Sequence, residues 1–510
     1  MPTRYSQSVT AFAAVGSLAY GYASSIIAYT IGFPSFFDYM GLVANTDHSN
    51  SIIGAANGLY PGGGCLGCLF TAWSGEVFGR KRSMQIGCII GIVGAILMAA
   101  AQNVPMFLVS RFVMGWSIGM LVTLVPLYQS ECSPPSHRGL MVGYHGVLIA
   151  TSYTLAGIVS YACYFAPYGQ FQWRFPLAVQ ALPVTVLLIG SIYLPRSPRW
   201  LLSKGFVDEA WKVTKALHHD PQNPTFAEEE FEEMKAQIAL EQRAGAITPW
   251  GKARLAFSRA SYRKRLGLGF LLQAGNQSVG NIVINNYQVT LYGTLGITGS
   301  LPILLTAMWN LVAIFGNGTC ALFVDRVGRR TFLLVGIAGC LVFLAIETAM
   351  VAKYVGTDNK AGNAAGVFAL FGYIVFYSGG CDVIQYLYAA EIFPMLWRSF
   401  GMGFSLLGQW LANTIYLAVT PTALAAVSWK FFFLFIALGI VYFILVYFFM
   451  PETSCKTLEQ MAAIFGDEVA EDHHLDRVAR SARQKTVEEG DKASTDEAQE
   501  KDIGSEQRIA

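Results

Sequence analysis

Long apolar runs broken by short polar segments dominate the chain. A helix needs about 20 mainly apolar residues to cross a bilayer. Twelve runs reach that length, at roughly 9–31, 52–74, 84–102, 107–129, 141–165, 176–194, 266–293, 302–324, 331–352, 364–390, 401–423 and 430–450. One long polar connection, 196–265, separates the sixth run from the seventh. It contains Glu228-Glu229-Glu230-Phe231-Glu232-Glu233-Met234, which predicts short surface helices. The final stretch, 467–510, is rich in Glu, Asp, Lys, Ser and Gln and cannot bury a core, which predicts disorder. The pattern predicts an all-α membrane protein of twelve transmembrane helices. Its parts are a six-helix bundle (1–195), a helical linker on the cytoplasmic side (196–265), a second six-helix bundle (266–455) and a tail (456–510).

The seventh run is not uniformly apolar. Gln273, Gln277, Asn281 and Asn285 recur every four residues, and a helix would stack them in one stripe. A buried amide without a partner costs about 1–3 kcal/mol. The stripe must therefore face other protein, water or a polar ligand. Amides can also glue helices together in lipid. Four in one line favour a path for a small hydroxyl-rich solute.

Composition and charge sharpen this picture. Only 13% of residues are charged and 54% are hydrophobic, against about 25% charged in a soluble protein. With both termini inside, the inner loops hold Arg80-Lys81-Arg82, Arg138, Arg326, Arg329, Arg330 and Arg398, and the connection holds many more. The outer loops hold little beyond Arg174, Lys353, Lys360 and Lys430. That bias predicts cytoplasmic termini, and the expected location is the plasma membrane. The net charge of +2, with no basic run interleaved with aromatics, gives no sign of nucleic acid. The nine Cys are scattered. Cys65 and Cys68 have CxxC spacing but no second Cys or His pair, so they read as packing residues rather than a metal site. No cofactor motif, nucleophile–base pair or P-loop is found, which points away from an enzyme and from ATP-driven transport.

The chain repeats itself at a spacing of about 250–260 residues. Glu76-Val77-Phe78-Gly79-Arg80-Lys81-Arg82 returns as Asp325-Arg326-Val327-Gly328-Arg329-Arg330. Tyr128-Gln129-Ser130-Glu131 with Arg138 returns as Tyr388-Ala389-Ala390-Glu391 with Arg398. Pro195-Arg196-Ser197 closes the first six runs and Pro451-Glu452-Thr453 the second. Acids at helix ends can pair with Arg80 or Arg329. Exposed pairs contribute about 0–1 kcal/mol each, but a network between the halves can bias a two-state equilibrium.

These motifs, together with Trp173-Arg174-Phe175-Pro176, resemble the sugar porter family of the major facilitator superfamily across nearly all of 8–460. Cys381-Asp382 with Gln385-Tyr386-Leu387-Tyr388 looks like a fungal, hexose-transporter-like branch. The resemblance implies transport of a monosaccharide or related small carbohydrate by alternating access, as uniporter or proton symporter. A sugar-acid or quinate carrier is the alternative, and a non-transporting sensor ranks lower. The partners implied are the carbohydrate, the lipid bilayer and, for a symporter, protons.

The resemblance also implies roles for single residues. Asn276, Gln277 and Asn281 on the seventh run, Asn310 on the eighth, Tyr386 in place of a Trp on the tenth, and Trp410 with Asn413 on the eleventh would bind sugar. Each amide offers both a donor and an acceptor to a hydroxyl. On the fifth run the family's Gln is replaced by Gly146, preceded by His145, which would substitute. The gating set would be Glu76, Arg80, Glu131, Arg138, Asp325, Arg329, Glu391 and Arg398. Proton-coupled members carry an Asp after Phe-Gly-Tyr on the first run. Here Tyr20-Gly21-Tyr22-Ala23 has no acid, although the usual partner remains as Arg111. Either the protein is a uniporter, or another acid carries the proton. Asp382 is the first candidate and Glu347 the second, since intramembrane acids are functional hypotheses by default. A structural role for Asp382, at a break near Gly379-Gly380, is as well supported by the sequence.

Overall fold

A computed structural model describes residues 4–43, 46–133, 138–167, 169–218, 225–243, 249–355, 357, 359–393, 397–453 and 464–465. The first half runs α1 (Arg4–Ala13), α2 (Val15–Thr30), α3 (Pro34–Met40), α4 (Asp47–Val77), α5 (Arg80–Ala99), α6 (Val104–Cys132), α7 (Arg138–Tyr164), α8 (Gly169–Val179) and α9 (Ala181–Ser191). The connection supplies α10 (Pro198–Ser203), α11 (Val207–His218), α12 (Phe226–Arg243) and α13 (Pro249–Ser258). The second half runs α14 (Ala260–Gln277), α15 (Asn281–Thr294), α16 (Leu301–Val327), α17 (Arg329–Tyr354) and α18 (Lys360–Tyr377). A π-helical turn (Ser378–Asp382) then leads into α19 (Val383–Ile392), α20 (Arg398–Val427) and α21 (Phe432–Phe449). Most of the tail from 456 lies outside the described residues.

Among the described residues, nine segments are long and apolar enough to cross a membrane, and one of them, Phe400–Phe449, contains both α20 and α21. The two remaining crossings are α4 and α14–α15, which completes twelve. The seventh is split into two shorter helices, the first of which carries Arg263, Lys264 and Arg265. Helix α4 is rich in glycine and packs against α6 and α20. A Cβ on Gly64 would lie 2.5 Å from the Trp410 ring, so only glycine allows that approach.

The seventh crossing corrects the expected single helix. The helix ends at Gln277 and restarts at Asn281, with Gly280 at φ +96°. That left-handed backbone favours glycine. Gln273 and Gln277 thus sit on one segment, Asn281 and Asn285 on the next. The crossing also begins earlier than its apolar run, at Ala260.

The halves meet mainly where α4 packs on α20 and α7 on α16, with further contacts of α2 with α15, α7 with α19 and α6 with α20. Trp200, Leu201, Leu202, Ala210, Phe231 and Ile238 give the connection its own small apolar cluster. Trp200 ties it to the first half by donating from Nε1 to the Glu76 carbonyl at 3.1 Å.

Candidate functional site

Between the halves lies a narrow polar cavity of about 40 Å³. The first half contributes Tyr20 from α2 and Ile149, Ala150 and Tyr153 from α7. The second contributes Gln277, Asn281, Ile282 and Asn285 from the broken crossing, Trp309, Asn310 and Ala313 from α16, Ile374, Tyr377, Asp382, Gln385 and Tyr386 from the tenth crossing, and Gln409 from α20. The break at Gly280 lets amides from two helix ends reach one space.

Five of the expected residues share this cavity: Gln277, Asn281, Asn310, Tyr386 and Asp382. Gln277 donates from Nε2 to Gln385 Oε1 at 3.4 Å. Asn310 bridges the halves, donating to the Tyr29 hydroxyl at 3.2 Å and accepting from Asn285 at 3.2 Å. Asn281 Oδ1 is buried without a hydrogen-bonding partner. Asp382 Oδ2 accepts from Asn317 Nδ2 at 2.9 Å, and Oδ1 accepts from Gln385 Nε2 at 3.3 Å.

Four others are not on the wall. Asn276 donates to the Tyr377 hydroxyl and the Cys381 carbonyl, each at 3.4 Å. Trp410 is buried edge-on against Tyr20 and Tyr60, with centroids 6.1 and 6.0 Å away. Asn413 is buried on the same helix. His145 shares a hydrogen bond of 2.6 Å between Nδ1 and Ser17 Oγ and packs edge-on against Tyr386 at 5.5 Å. It supports Tyr386 from behind rather than taking the place of a Gln on the wall.

Arg111 is fully buried. Its guanidinium donates to the carbonyls of Ala56 (3.2 Å) and Ala23 (3.5 Å) and lies 4.4 Å from the centre of the Tyr60 ring. Backbone oxygens and a π face replace the carboxylate that the sequence lacks. Glu347 is buried in α17, away from the cavity wall.

Sequence reasoning did not assign Gln385, Gln409, Tyr20, Tyr153 and Tyr377 to the site. Gln385 and Gln409 immediately precede Tyr386 and Trp410, and that adjacency was the available signal. Gln409 joins the halves by donating to the Tyr20 hydroxyl at 3.4 Å and contacting the Tyr386 hydroxyl at 3.3 Å. Among the described residues, no cluster of His, Cys, Asp and Glu could hold a metal ion. Cys68 lies 3.3 Å from the Thr123 hydroxyl, as a packing thiol does.

The charged helix ends form two matching clusters. Arg80 meets Glu131 at 2.8 Å and Glu76 at 3.7 Å. Glu131 also accepts from the Ser197 hydroxyl, and Tyr128 donates to the Pro195 carbonyl at 2.8 Å. In the second half Arg329 meets Glu391 at 2.9 Å, Thr453 donates to Glu391 at 2.6 Å, and Tyr388 donates to the Pro451 carbonyl at 3.1 Å. Glu452 accepts from the backbone N–H groups of Arg329 and Arg330, capping α17 where the helix dipole favours an anion. The pairs described here join residues of the same half. Arg398 donates to the Phe393 carbonyl at 3.3 Å. The side chains of Arg138 and Asp325 lie outside the described part.

The family model for "Sugar (and other) transporter" matches residues 9–465. The chain belongs to the sugar transporter family of the major facilitator superfamily. Within it, the chain is 32% identical over 455 residues to the MFS-type transporter criB of Aspergillus cristatus, covering 89% of this chain and 92% of that one. It is 28% identical over 477 residues to the quinate permease of Neurospora africana, covering 89% and 88%. The proton:xylose symporter XylE, solved with 6-bromo-6-deoxy-D-glucose, superposes with a TM-score of 0.77 at 22% identity. That match covers 90% of this chain and 99% of XylE, which establishes a shared fold. Family members carry solutes across membranes; they are not enzymes.

Proposed function

We propose that the protein transports a monosaccharide or related small neutral carbohydrate by alternating access. The observation that carries this reading is the amide- and tyrosine-walled cavity between the halves. Gln277, Asn281, Asn310 and Gln409 supply paired donors and acceptors suited to hydroxyls. Tyr20, Tyr377 and Tyr386 supply ring surface for the apolar face of a sugar. Asn276, Trp410, Asn413 and His145 hold this wall in place from behind. The two charged clusters, with Arg138, Asp325 and Arg398, would brace helix ends on the face that carries the basic loops. The basic bias of those loops supports cytoplasmic termini and a cytoplasmic connection, and we place the protein in the plasma membrane.

We assign proton coupling to Asp382, the one carboxylate among the described lining residues. The titratable groups around it are the hydroxyls of Tyr20 on α2, Tyr153 on α7, and Tyr377 and Tyr386 on the tenth crossing, with the thiols of Cys320 and Cys381. His145 lies behind Tyr386. None of these supplies a fixed positive charge, so a proton is the neutralising partner when a neutral solute is bound.

Quinate carriers among the relatives raise the sugar-acid reading. A solute carboxylate would meet Asp382, with no Lys, Arg or His among the described lining residues to offset it. The neutral carbohydrate is therefore preferred. The test is uptake of labelled hexose and quinate by transporter-null cells, with and without a protonophore. Hexose accumulation abolished by the protonophore supports the account; quinate uptake without hexose uptake would overturn it.

A further inference from the structure

We propose that the cavity also accepts protonated amino sugars, with the ammonium group seated beside Asp382. The inference rests on the transport reading above and deepens it to a substrate class.

Asp382 ends the π-helical turn Ser378–Asp382 and faces the cavity. Each of its oxygens takes one amide, from Asn317 and from Gln385. An ionised carboxylate has about four acceptor sites, so it can accept further donors from a solute. Among the described residues it makes no ion pair. The buried Arg111 is held by the carbonyls of Ala23 and Ala56, and His145 meets Ser17 through Nδ1; neither lines the cavity. A buried carboxylate without a counter-charge is costly. A neutral sugar leaves that charge to a proton. An ammonium group brings its own.

The surroundings suit such a group. Tyr20, Tyr153, Tyr377, Tyr386 and Trp309 line the same cavity, and aromatic walls attract organic cations. Asn281 Oδ1 adds a buried acceptor without a partner. An ammonium offers three donors and no acceptor, which matches this excess of acceptors. The hydroxyls of an amino sugar would still use the amides.

The experiment measures inhibition of labelled hexose uptake in transporter-null cells by a 2-amino-2-deoxyhexose and by its uncharged N-acetyl form. Wild-type uptake should be inhibited at least tenfold more strongly by the amine than by the N-acetyl form. In Asp382→Asn, the inhibitory strength of the amine relative to unlabelled hexose should fall tenfold or more. Hexose uptake that the amine does not inhibit, or equal inhibition by amine and N-acetyl forms, would overturn the inference and leave transport standing. Uptake of neither hexose nor amine would overturn both.

Discussion

Arg111 and Ala23 meet where α6 crosses α2, with the guanidinium Nη1 3.5 Å from the Ala23 carbonyl oxygen. The family pairs this arginine with a carboxylate on the first crossing. Here the backbone of Ala23 and the Tyr60 ring take over.

Ala23→Asp should therefore be accommodated, because Arg111 is in reach to pair with it. In an Arg111→Leu background the same aspartate would be buried without a partner, a cost of about 3–5 kcal/mol. Thermal unfolding of the purified proteins checks this. The double variant should melt well below both single variants. Equal melting of Ala23→Asp in the two backgrounds would show that the pair does not form.

The two charged clusters differ in burial. The Arg80 and Glu131 side chains are each 6% exposed, whereas Arg329 and Glu391 are 8% and 26% exposed. The two arginines are almost equally buried, so the difference lies in the acids: Glu131 is the less exposed, and its pair is the less screened. Glu131→Ala should cost less than the roughly 3–5 kcal/mol of a fully broken buried pair, because Glu76 stays 3.7 Å from Arg80. Glu391→Ala should cost clearly less, through solvent screening. Melting of the two variants side by side gives the ranking, and the reverse order would count against it.

Gly280 carries φ +96°, and a Cβ there would lie 3.2 Å from the Phe435 ring. Gly280→Ala should cost at least about 1–2 kcal/mol from the left-handed backbone alone. It should also displace Gln277 and Asn281 relative to each other. The expected result is a lower melting temperature together with a raised KM for hexose. A stable variant with wild-type KM would show that the break is not needed to hold the amides.

Much of the architecture was legible because lipid imposes a length on every crossing. The twelve runs and the repeat follow from periodicity and motif order, and Asn310 and Tyr386 of the cavity were reached only through the family resemblance. The break at Ser278–Gly280 was not legible, because a four-residue amide spacing is the same whether the helix continues or restarts. Gln385 and Gln409 were obscured by the aromatic residues beside them. The acids and arginines of the charged clusters were legible as a motif that occurs twice. The hydroxyls of Ser197 and Thr453, which each donate to one of these acids, were not legible, because nothing in the spacing links them to Glu131 and Glu391.

The central claim is that amides on either side of the broken seventh crossing bind the solute. The most direct measurement is the concentration dependence of hexose uptake for Gln277→Ala and Asn281→Ala, at matched surface levels in transporter-null cells. A hydrogen bond contributes about 0.5–1.5 kcal/mol, so KM should rise roughly two- to tenfold in each variant. Wild-type uptake by both variants would contradict the account.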